Sequence, residues 1–363
     1  MPEWQDTLGV PRTWFIPPVI WVDGHSGFVA LSRADSPAQW RRAVETDEPI
    51  VTQVDDGRTP PGQVGLVPTS SCSKPSVVAR MLGALDVQPG HRVLEVGTGT
   101  GWNTALLADR VGPDGLVVTI EADEQVARTA RLAFEKIGHR ITAITGDGAR
   151  GWAPDAPYDR LIATASVHAV PPPWLDQVRP GGRLVLPFGT DYCNGAMLTL
   201  DRAADGSANG TFGGALTFMR LRGQRNEFID PTTEQLGGAD RGTTPLRPGQ
   251  LFEMIAFQRA AFTIGLRVPR CYLTVEEDAR GPRRHTIELH DTASGSWARV
   301  EVEPGGSTSP VRQFGSRRLW TEAEAAYAWW RDAGQPEAGH YRLTVTPDGT
   351  HLVELDGRRW AIT

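Results

Sequence analysis

The sequence predicts an α/β fold built on a parallel sheet, with an N-terminal arm and an additional C-terminal α+β domain. Two observations carry this prediction. Across residues 70–200, apolar strand-like segments alternate with segments of helical spacing, which is typical of a parallel sheet with right-handed crossovers. On both sides of this stretch the alternation stops and the character of the sequence changes. We therefore predict a central domain at 70–200, an extension at 1–69 and an accessory domain at 201–363.

The composition excludes several classes of protein. The chain has 363 residues, which is too long for one small domain, and its 40% hydrophobic and 22% charged residues are ordinary globular composition. A net charge of −6 gives no basic surface for nucleic acid. No apolar run reaches the roughly eighteen residues of a membrane span. We expect neither nucleic acid nor a membrane as a partner.

The cysteines and the first residues indicate a cellular compartment. Cys72, Cys193 and Cys271 lie far apart without a CxxC pair, which argues against a disulfide framework and a zinc site and fits a reducing cytoplasm. The start, MPEWQDTLGVPRTW, has no basic region followed by an apolar stretch, so it is not a secretory signal. We therefore predict a cytoplasmic protein without a metal site.

The N-terminal extension is predicted to be an ordered arm of short extended pieces. Its apolar runs, such as WFIPPVIWV and PIVTQVDDG, contain or adjoin prolines, which interrupt helices and favour extended chain. Four tryptophans argue against a flexible tail: Trp4, Trp14, Trp21 and Trp40.

The elements of the central domain follow from periodicity. PSVVARMLGAL has apolar residues at helical spacing, RVLEV predicts a buried strand, NTALLADRV a helix and GLVVTIEA the next strand. DEQVARTARLAFEKIG has acidic residues in its first turn and Gly138 at its end, which predicts a helix. Three further strands are predicted in RITAITGDG, YDRLIATAS and GGRLVLPFG.

The C-terminal region predicts strands and two helices. The strands are TIELHD, WARVEVE, YRLTVTPDG and HLVELDGRRWAI, with a turn at PDGT. The helices are RPGQLFEMIAFQRAAFTIG and TEAEAAYAWWRDAG, the second capped by Thr321 and ended by Gly334. Sheet edges and arginines in this region would suit an extended acidic peptide; the arginines include Arg283, Arg284, Arg317 and Arg318.

A glycine-rich turn follows the first strand of the central domain, in RVLEVGTGTGWN. A dinucleotide site needs G-x-G-x-x-G, but here Trp102 takes the third glycine position and Gly101 comes one place early. No Gly-Lys-Ser/Thr follows, so the turn is not a Walker loop. The pattern E-x-G-x-G-x-G after a strand instead resembles the first motif of class I, Rossmann-like methyltransferases, which bind S-adenosyl-L-methionine.

This resemblance implies S-adenosylmethionine as the cofactor and assigns residues to it. Glu95 is expected to order the loop and to face the amino acid part of the cofactor. Glu121, at the end of the next strand, is placed to accept both ribose hydroxyls, and Asp147 is placed to meet the adenine amino group. The expected cofactor-binding residues are Ser73, Glu95, Gly97, Thr98, Gly99, Gly101, Glu121, Ala122, Asp147 and Gly148.

Four segments, taken together, resemble protein-L-isoaspartate O-methyltransferases. They are SCSKPSVVARML, VLEVGTGTGWNTALLA, GDGARGWAPDAPYDRLIATAS and GGRLVLPFG, and they span about 70–189. The resemblance implies that Ser73 is a catalytic residue that contacts both the substrate carboxylate and the cofactor. As an alternative, Ser73 caps the helix that begins at Pro75, and the two roles are compatible.

The chain departs from that family in two ways. SVHAVPPPW stands where the repair enzymes have an alanine-rich stretch, so His168 is a candidate catalytic residue at the carboxyl end of a strand or, alternatively, a structural histidine at the rim. The arm and the C-terminal domain are not expected in this form in the repair enzymes. This extended layout resembles the homologues in bacterial clusters that mature graspetides and lanthipeptides, and it implies methylation of aspartate in a modified precursor peptide, followed by aspartimide formation.

Three hypotheses about function follow. The main hypothesis is methylation of aspartate in a ribosomally made precursor peptide, because a dedicated precursor justifies additional recognition surface. The second is repair of isoaspartate in damaged proteins. The third is a non-enzymatic peptide-binding scaffold, against which the intact cofactor motifs argue. In both enzymes an ionised carboxylate is itself the nucleophile, so catalysis rests on positioning in a closed cavity rather than on a general base.

Overall fold

The computed structural model describes residues 9–138, 140–226, 231–277, 284–303 and 305–362. Its largest sheet has ten strands, and it is flanked by a four-stranded sheet from the arm and a five-stranded sheet from the C-terminal region. This arrangement confirms the predicted α/β class with additional N- and C-terminal parts. Among the described residues, no helix is both long and apolar enough to cross a membrane.

The arm is an ordered antiparallel sheet with strand order β2-β1-β3-β4. Its residues Phe15 and Ile20 are buried in the same apolar cluster as Trp102 and Leu106 of the central domain. The arm therefore packs on a larger body, as predicted. Trp21 and Trp40 are buried, Trp14 is exposed, and Trp4 lies outside the described residues. Its elements are β1 (Val19–Gly24), β2 (Gly27–Ser32), α1 (Pro37–Val44), β3 (Ile50–Val54) and β4 (Pro68–Cys72).

The central part of the large sheet is parallel, with strand order β7-β6-β5-β8-β9. Its helices and strands are α2 (Pro75–Leu85), β5 (Arg92–Val96), α3 (Trp102–Val111), β6 (Leu116–Glu121), α4 (Glu124–Phe134), β7 (Ile141–Thr145), β8 (Tyr158–Ala163), α5 (Pro172–Gln177) and β9 (Val178–Gly189). The helix predicted through Gly138 ends at Phe134. The Phe134 ring lies so close to Gly101 that a side chain at position 101 would clash with it.

Each central strand buries both faces, because successive side chains point to opposite sides of a sheet. Val93 and Val117 belong to the apolar cluster that contains the arm and helices α2–α4. Their neighbours Leu94 and Val118 belong to the cluster that contains α5 and much of the C-terminal region. The arm and the C-terminal region therefore cover opposite faces of the same sheet, and both reach its carboxyl edge.

The large sheet continues beyond residue 200, where we predicted a domain boundary. The strands β10 (Asn194–Arg202) and β11 (Ala208–Ala215) are antiparallel additions, and β11 pairs with a strand from the end of the chain. The final strands are β17 (Arg342–Val345), β18 (His351–Leu355) and β19 (Arg358–Ala361). The three-part division stays a prediction about folding units, but the sheet itself crosses it.

The second C-terminal sheet lies between β11 and β17 in sequence and has strand order β12-β16-β15-β14-β13. Its strands are antiparallel. From the strand order, β12 and β13 form its two edges. The elements are α6 (Thr233–Gly237), β12 (Asp240–Thr244), α7 (Pro248–Ile255), α8 (Phe262–Arg267), β13 (Cys271–Glu277), β14 (His285–Asp291), β15 (Trp297–Val302), β16 (Ser309–Phe314) and α9 (Leu319–Asp332).

Two helix boundaries in this region differ from the predictions. The single helix expected across 247–265 is two helices, because the backbone at Arg259 is not helical (φ −126°, ψ −129°). The helix α9 begins before Thr321, at Leu319. The side-chain amide oxygen of Gln313 (Oε1) accepts a hydrogen bond from the Trp320 backbone N–H at 2.9 Å, so a side chain from β16 satisfies the first turn in place of Thr321.

His351 connects β18 to the central domain through a hydrogen bond. Its Nε2 accepts a hydrogen bond from the Val170 backbone N–H at 2.8 Å, and its Nδ1 lies 2.9 Å from the Gly349 carbonyl oxygen. This pairing requires a neutral ring with the proton on Nδ1. Burial lowers the pKa of His351 to about 4.

We predict that His351→Gln weakens the dependence of the free energy of unfolding on pH below neutrality. The folded pKa of about 4 lies below the ordinary histidine pKa of 6.5, so the unfolded chain takes up a proton that the folded chain does not. The free energy of unfolding therefore falls as pH drops from 6.5 toward 4, by about 3 kcal/mol in total. The variant should be less stable at neutral pH and should lose less stability on acidification, as measured by urea unfolding.

The control for this prediction is His25→Gln, because His25 is exposed in the β1–β2 turn. That variant should keep the wild-type profile. Identical pH slopes for His351→Gln and wild type would show that His351 is not held neutral in the folded protein.

Candidate active site

A cavity of about 510 Å³ lies at the carboxyl ends of the parallel strands. Open α/β sheets bind their ligands at this edge. Three parts of the chain line the cavity: the arm and the start of α2, the loops after β5, β6, β7 and β8, and the segment 217–225 that follows β11.

The glycine loop after β5 forms the floor of the cavity. Gly97, Gly99 and Gly101 all have positive φ, at +96°, +53° and +88°, a region that favours glycine. A Cβ at Gly97 would lie 2.7 Å from the Thr164 hydroxyl, and one at Gly99 would lie 3.2 Å from the Ser71 carbonyl oxygen. Gly97, Thr98 and Gly99 line the cavity, whereas Gly101 lies beneath it.

Glu95 lies under the loop rather than on the cavity wall. Its carboxylate is fully buried and accepts hydrogen bonds from Asn103 (2.7 Å), Thr119 (2.7 Å) and Thr104. Burial raises its pKa to about 7. The geometry suits the expected role of ordering the loop, but it does not present the Glu95 side chain to a ligand in the cavity.

Glu121 lies on the cavity wall at the end of β6, beside Ala122. One carboxylate oxygen accepts a hydrogen bond from the Gly99 backbone N–H at 3.0 Å, and the other accepts one from the Asp123 N–H at 3.0 Å. These bonds fix the carboxylate in one orientation, and each oxygen keeps a free lone pair. Glu121 can therefore accept further hydrogen bonds from a ligand.

The GDG segment contributes its last residue to the cavity. Gly148 lines the wall, and a Cβ there would lie 2.5 Å from the Val96 side chain. Asp147 is exposed and accepts a hydrogen bond from the Ala149 N–H at 3.0 Å. Its side chain is not part of the wall.

Ser73 lies on the cavity wall, immediately before α2. The structure does not use it as the cap of that helix. Lys74 is the N-cap residue, and the Ser76 backbone N–H donates to Asp47 of the arm at 2.8 Å. The Ser73 hydroxyl is therefore available to a ligand.

Arg12 holds the backbone of this segment in place, and sequence reasoning missed it. Its Nη2 donates to the carbonyl oxygens of Cys72 (2.9 Å), Ser73 (3.0 Å) and Glu48 (2.8 Å). Its guanidinium also lies 5.6 Å from the centre of the Trp102 ring. No sequence pattern singles out this arginine, because its partners lie far along the chain.

The His168 side chain is not among the residues that line the cavity, and its catalytic role stays a prediction. It is half-buried, and its backbone N–H donates to the Gln224 side chain at 2.8 Å. Burial lowers its pKa, and the charge of Arg220 acts in the same direction, while Asp191 opposes both. Arg220, rather than His168, reaches the cavity at this point.

The arginines proposed for peptide binding are engaged within the C-terminal region. Arg284 pairs with Glu303 at 3.1 Å, and Arg318 pairs with Asp240. Arg317 pairs with Asp291 at 2.9 Å and also with Glu322. Arg283 lies outside the described residues. The arginines at the cavity come instead from the run TFMRLRGQR, whose arginine density is the signal in the sequence.

We predict that Gly99→Ala lowers the affinity for S-adenosylmethionine by at least about tenfold. Apart from the Ser71 carbonyl oxygen, no atom outside residues 98–100 lies within 4 Å of the added carbon among the described residues, so the methyl group would occupy cavity space that the ligand needs. The positive φ adds strain of about 1 kcal/mol. Isothermal titration calorimetry measures the affinity.

Gly90→Ala is the matched control for Gly99→Ala. Gly90 also has positive φ (+82°), but nothing lies within 4 Å of its added Cβ. It should cost similar stability and leave cofactor affinity unchanged. If Gly99→Ala also binds normally, the loop does not hold the cofactor.

Comparison with known proteins identifies the family. The family model for Protein-L-isoaspartate(D-aspartate) O-methyltransferase (PCMT) matches residues 58–226. The protein-L-isoaspartate O-methyltransferase of Methanopyrus kandleri is 39% identical over 161 residues, which cover 44% of this chain and 70% of the relative. The enzyme of that name from Pyrococcus horikoshii is 35% identical over 187 residues, 51% of this chain and 78% of the relative.

A solved structure called protein-L-isoaspartate O-methyltransferase resembles nearly the whole chain. The alignment covers 97% of this chain and 94% of the chain in that structure, with a TM-score of 0.53 and 21% sequence identity. At this identity the likeness concerns the fold alone, but it extends over the arm and the C-terminal region. Our expectation that these parts set the chain apart from proteins of that name is therefore not supported.

The relatives, the matching family model and the shared fold lead to one conclusion. The chain belongs to the protein-L-isoaspartate O-methyltransferase family, class I enzymes that transfer a methyl group from S-adenosylmethionine to a carboxylate.

Proposed function

We propose that this protein methylates the free carboxylate of isoaspartyl residues in damaged proteins and peptides. One observation carries the proposal. The family match across 58–226 contains every residue that lines the cavity except Pro49 and Val51. The similarity to isoaspartate methyltransferases thus coincides with the cavity rather than with remote parts of the fold.

We propose that the cofactor occupies the half of the cavity above β5, β6 and β7. Gly97, Thr98 and Gly99 would lie against its methionine and ribose portions, and Glu121 would accept hydrogen bonds from the ribose hydroxyls. The adenine would lie near Ala122 and Gly148, with Asp147 at the rim. Glu95 and Gly101 would act from beneath by shaping the loop.

The reaction needs little acid–base chemistry. A carboxylate with a pKa near 3.5 is ionised at neutral pH, and its oxygen attacks the methyl carbon while the C–S bond breaks and its electron pair stays on sulfur. Opposite charges disappear as the ester forms, so a site that excludes water favours the reaction. Apolar side chains on the wall, including Val77, Val96 and Phe218, suit this requirement.

Ser73 is the residue that we propose to hold the substrate carboxylate. Its hydroxyl can donate to the oxygen that does not react and so orient the other one toward the methyl group. The proposed reaction does not use His168, because that side chain lies outside the wall.

The peptide-maturation hypothesis differs only in substrate. It replaces the isoaspartyl residue with an ordinary aspartate in a modified precursor peptide, and the ester again closes to a succinimide. The cavity accommodates a carboxylate in either case, and the layout of the chain no longer favours a dedicated precursor. The cytoplasmic location stays a prediction.

The function is tested with two peptides of one sequence that contain either isoaspartate or aspartate at the same position. We expect kcat/KM to be at least about a hundredfold higher for the isoaspartyl peptide, equivalent to roughly 2.7 kcal/mol. Mass spectrometry of the methyl ester and the succinimide measures both reactions. Efficient methylation of aspartate alone would favour peptide maturation, and methylation of neither peptide by protein that binds the cofactor would refute the proposal.

We predict that Ser73→Ala lowers kcat by about 10- to 100-fold and changes cofactor affinity little. One lost positioning hydrogen bond costs roughly 1–3 kcal/mol when the site is closed. The control is Ser76→Ala, because Ser76 lies in the first turn of α2, away from the cavity wall. Equal rates for both variants would leave Ser73 without a role in catalysis.

A further inference from the structure

Four basic side chains line the cavity: Lys74, Arg220, Arg222 and Arg225. Three of them are paired with carboxylates. The pairs are Lys74–Glu48 at 3.5 Å, Arg222–Asp123 at 2.8 Å and Arg225–Asp56 at 3.0 Å. Arg220 differs from the others, because no carboxylate of the described residues forms an ion pair with it.

The Arg220 side chain is held in a fixed position. Its Nη1 donates to the Gly189 carbonyl oxygen at 2.8 Å, and its Nη2 donates to the Thr190 carbonyl oxygen at 3.0 Å. Asp191 lies nearby but accepts a hydrogen bond from Asn226 at 2.6 Å. Guanidinium groups have five N–H donors and stay charged in proteins, so Arg220 keeps its charge and has N–H donors that bond to no described residue.

Arg220 lies in the half of the cavity opposite the proposed cofactor position. Its neighbours Met219 and Leu221 pair with Ser166, which follows β8, through backbone hydrogen bonds of 2.8 and 2.9 Å. Gly189, which accepts from Arg220, is the last residue of β9. The cofactor residues follow β5, β6 and β7, so Arg220 faces the region left for the substrate.

The chemistry of methyl transfer indicates which anion Arg220 suits. The reacting carboxylate loses its charge in the transition state, so a cation bound to it would stabilise the ground state more and slow the reaction. A second carboxylate keeps its charge throughout, and a fixed guanidinium can hold it with two charge-assisted hydrogen bonds.

We propose that Arg220 binds a second carboxylate of the substrate, on an acidic residue next to the one that is methylated. The proposal rests on the proposed function for the identity of the methylated residue. It makes Arg220 a specificity residue that selects acidic peptides and that does not take part in methyl transfer.

The test uses two isoaspartyl peptides that differ only in carrying glutamate or glutamine on both sides of the isoaspartate. Their affinities are measured by fluorescence anisotropy with S-adenosylhomocysteine present, so that no turnover is needed. Wild-type protein should bind the glutamate peptide at least about tenfold more tightly. In Arg220→Gln the two affinities should become equal, because only the glutamate peptide loses a contact.

Two further variants sharpen this test. Arg128→Gln removes the same charge from an exposed position on α4, away from the cavity, and should keep the wild-type preference. Arg220→Lys keeps the charge without the forked geometry and should keep a reduced preference, which covers the case in which Arg220→Gln does not fold.

Equal affinities of the two peptides for wild-type protein would overturn the proposal, as would an equal loss of affinity for both peptides in Arg220→Gln. The outcome is independent of the proposed function. A protein that prefers the glutamate peptide through Arg220 but methylates neither peptide would support the role of Arg220 and would refute isoaspartate methylation.

Discussion

The guanidinium of Arg12 is the contact on which the candidate site depends. It is buried where the arm, the end of β4 and the start of α3 meet, and its donors are used on backbone carbonyl oxygens of Glu48, Cys72 and Ser73. The Trp102 indole that packs against it donates in turn to the Val10 carbonyl oxygen at 2.9 Å. Because a buried charge is costly unless its donors are satisfied, the arm can take only this position, and the position of Ser73 relative to the glycine loop follows from it.

A second polar network fixes the glycine loop from below. Glu95 at the end of β5 joins Asn103 and Thr104 at the start of α3 to Thr119 of β6. Thr98 extends the network, since its hydroxyl lies 2.7 Å from that of Thr119. Every hydrogen-bond partner of Glu95 is on a strand or on the first turn of a helix, so the loop has its shape before a ligand binds. Such preorganisation lowers the entropic cost of binding.

Local patterns predicted the parallel strands and the helices between them, because these elements carry their periodicity in short segments. They also predicted the glycine loop and Glu121, whose positions follow directly from β5 and β6. They could not predict Arg12 or Arg220. Arg12 donates to a backbone carbonyl oxygen distant in sequence, and Arg220 donates to the carbonyl oxygen at the end of β9. For His168 they gave the position after a strand, but its side chain is not part of the cavity wall that Arg220 reaches, and its catalytic role stays a prediction. Trp102 takes the position of the third glycine in the dinucleotide pattern. Its contacts with the arm explain why a tryptophan stands there.

The path of the chain through the large sheet has a consequence for biosynthesis. Strand β11 pairs on one side with β10 and on the other with β17, which follows about 130 residues later. The ribosome therefore synthesises the parallel core and the whole five-stranded sheet before it synthesises β17. During this time the outer edge of β11 is unpaired. Exposed edges of this kind attract other strands, so nascent and truncated chains share an aggregation hazard that only the last strands, 342–361, remove. A premature stop anywhere in the C-terminal region leaves that edge open, however well the cofactor half of the molecule has folded.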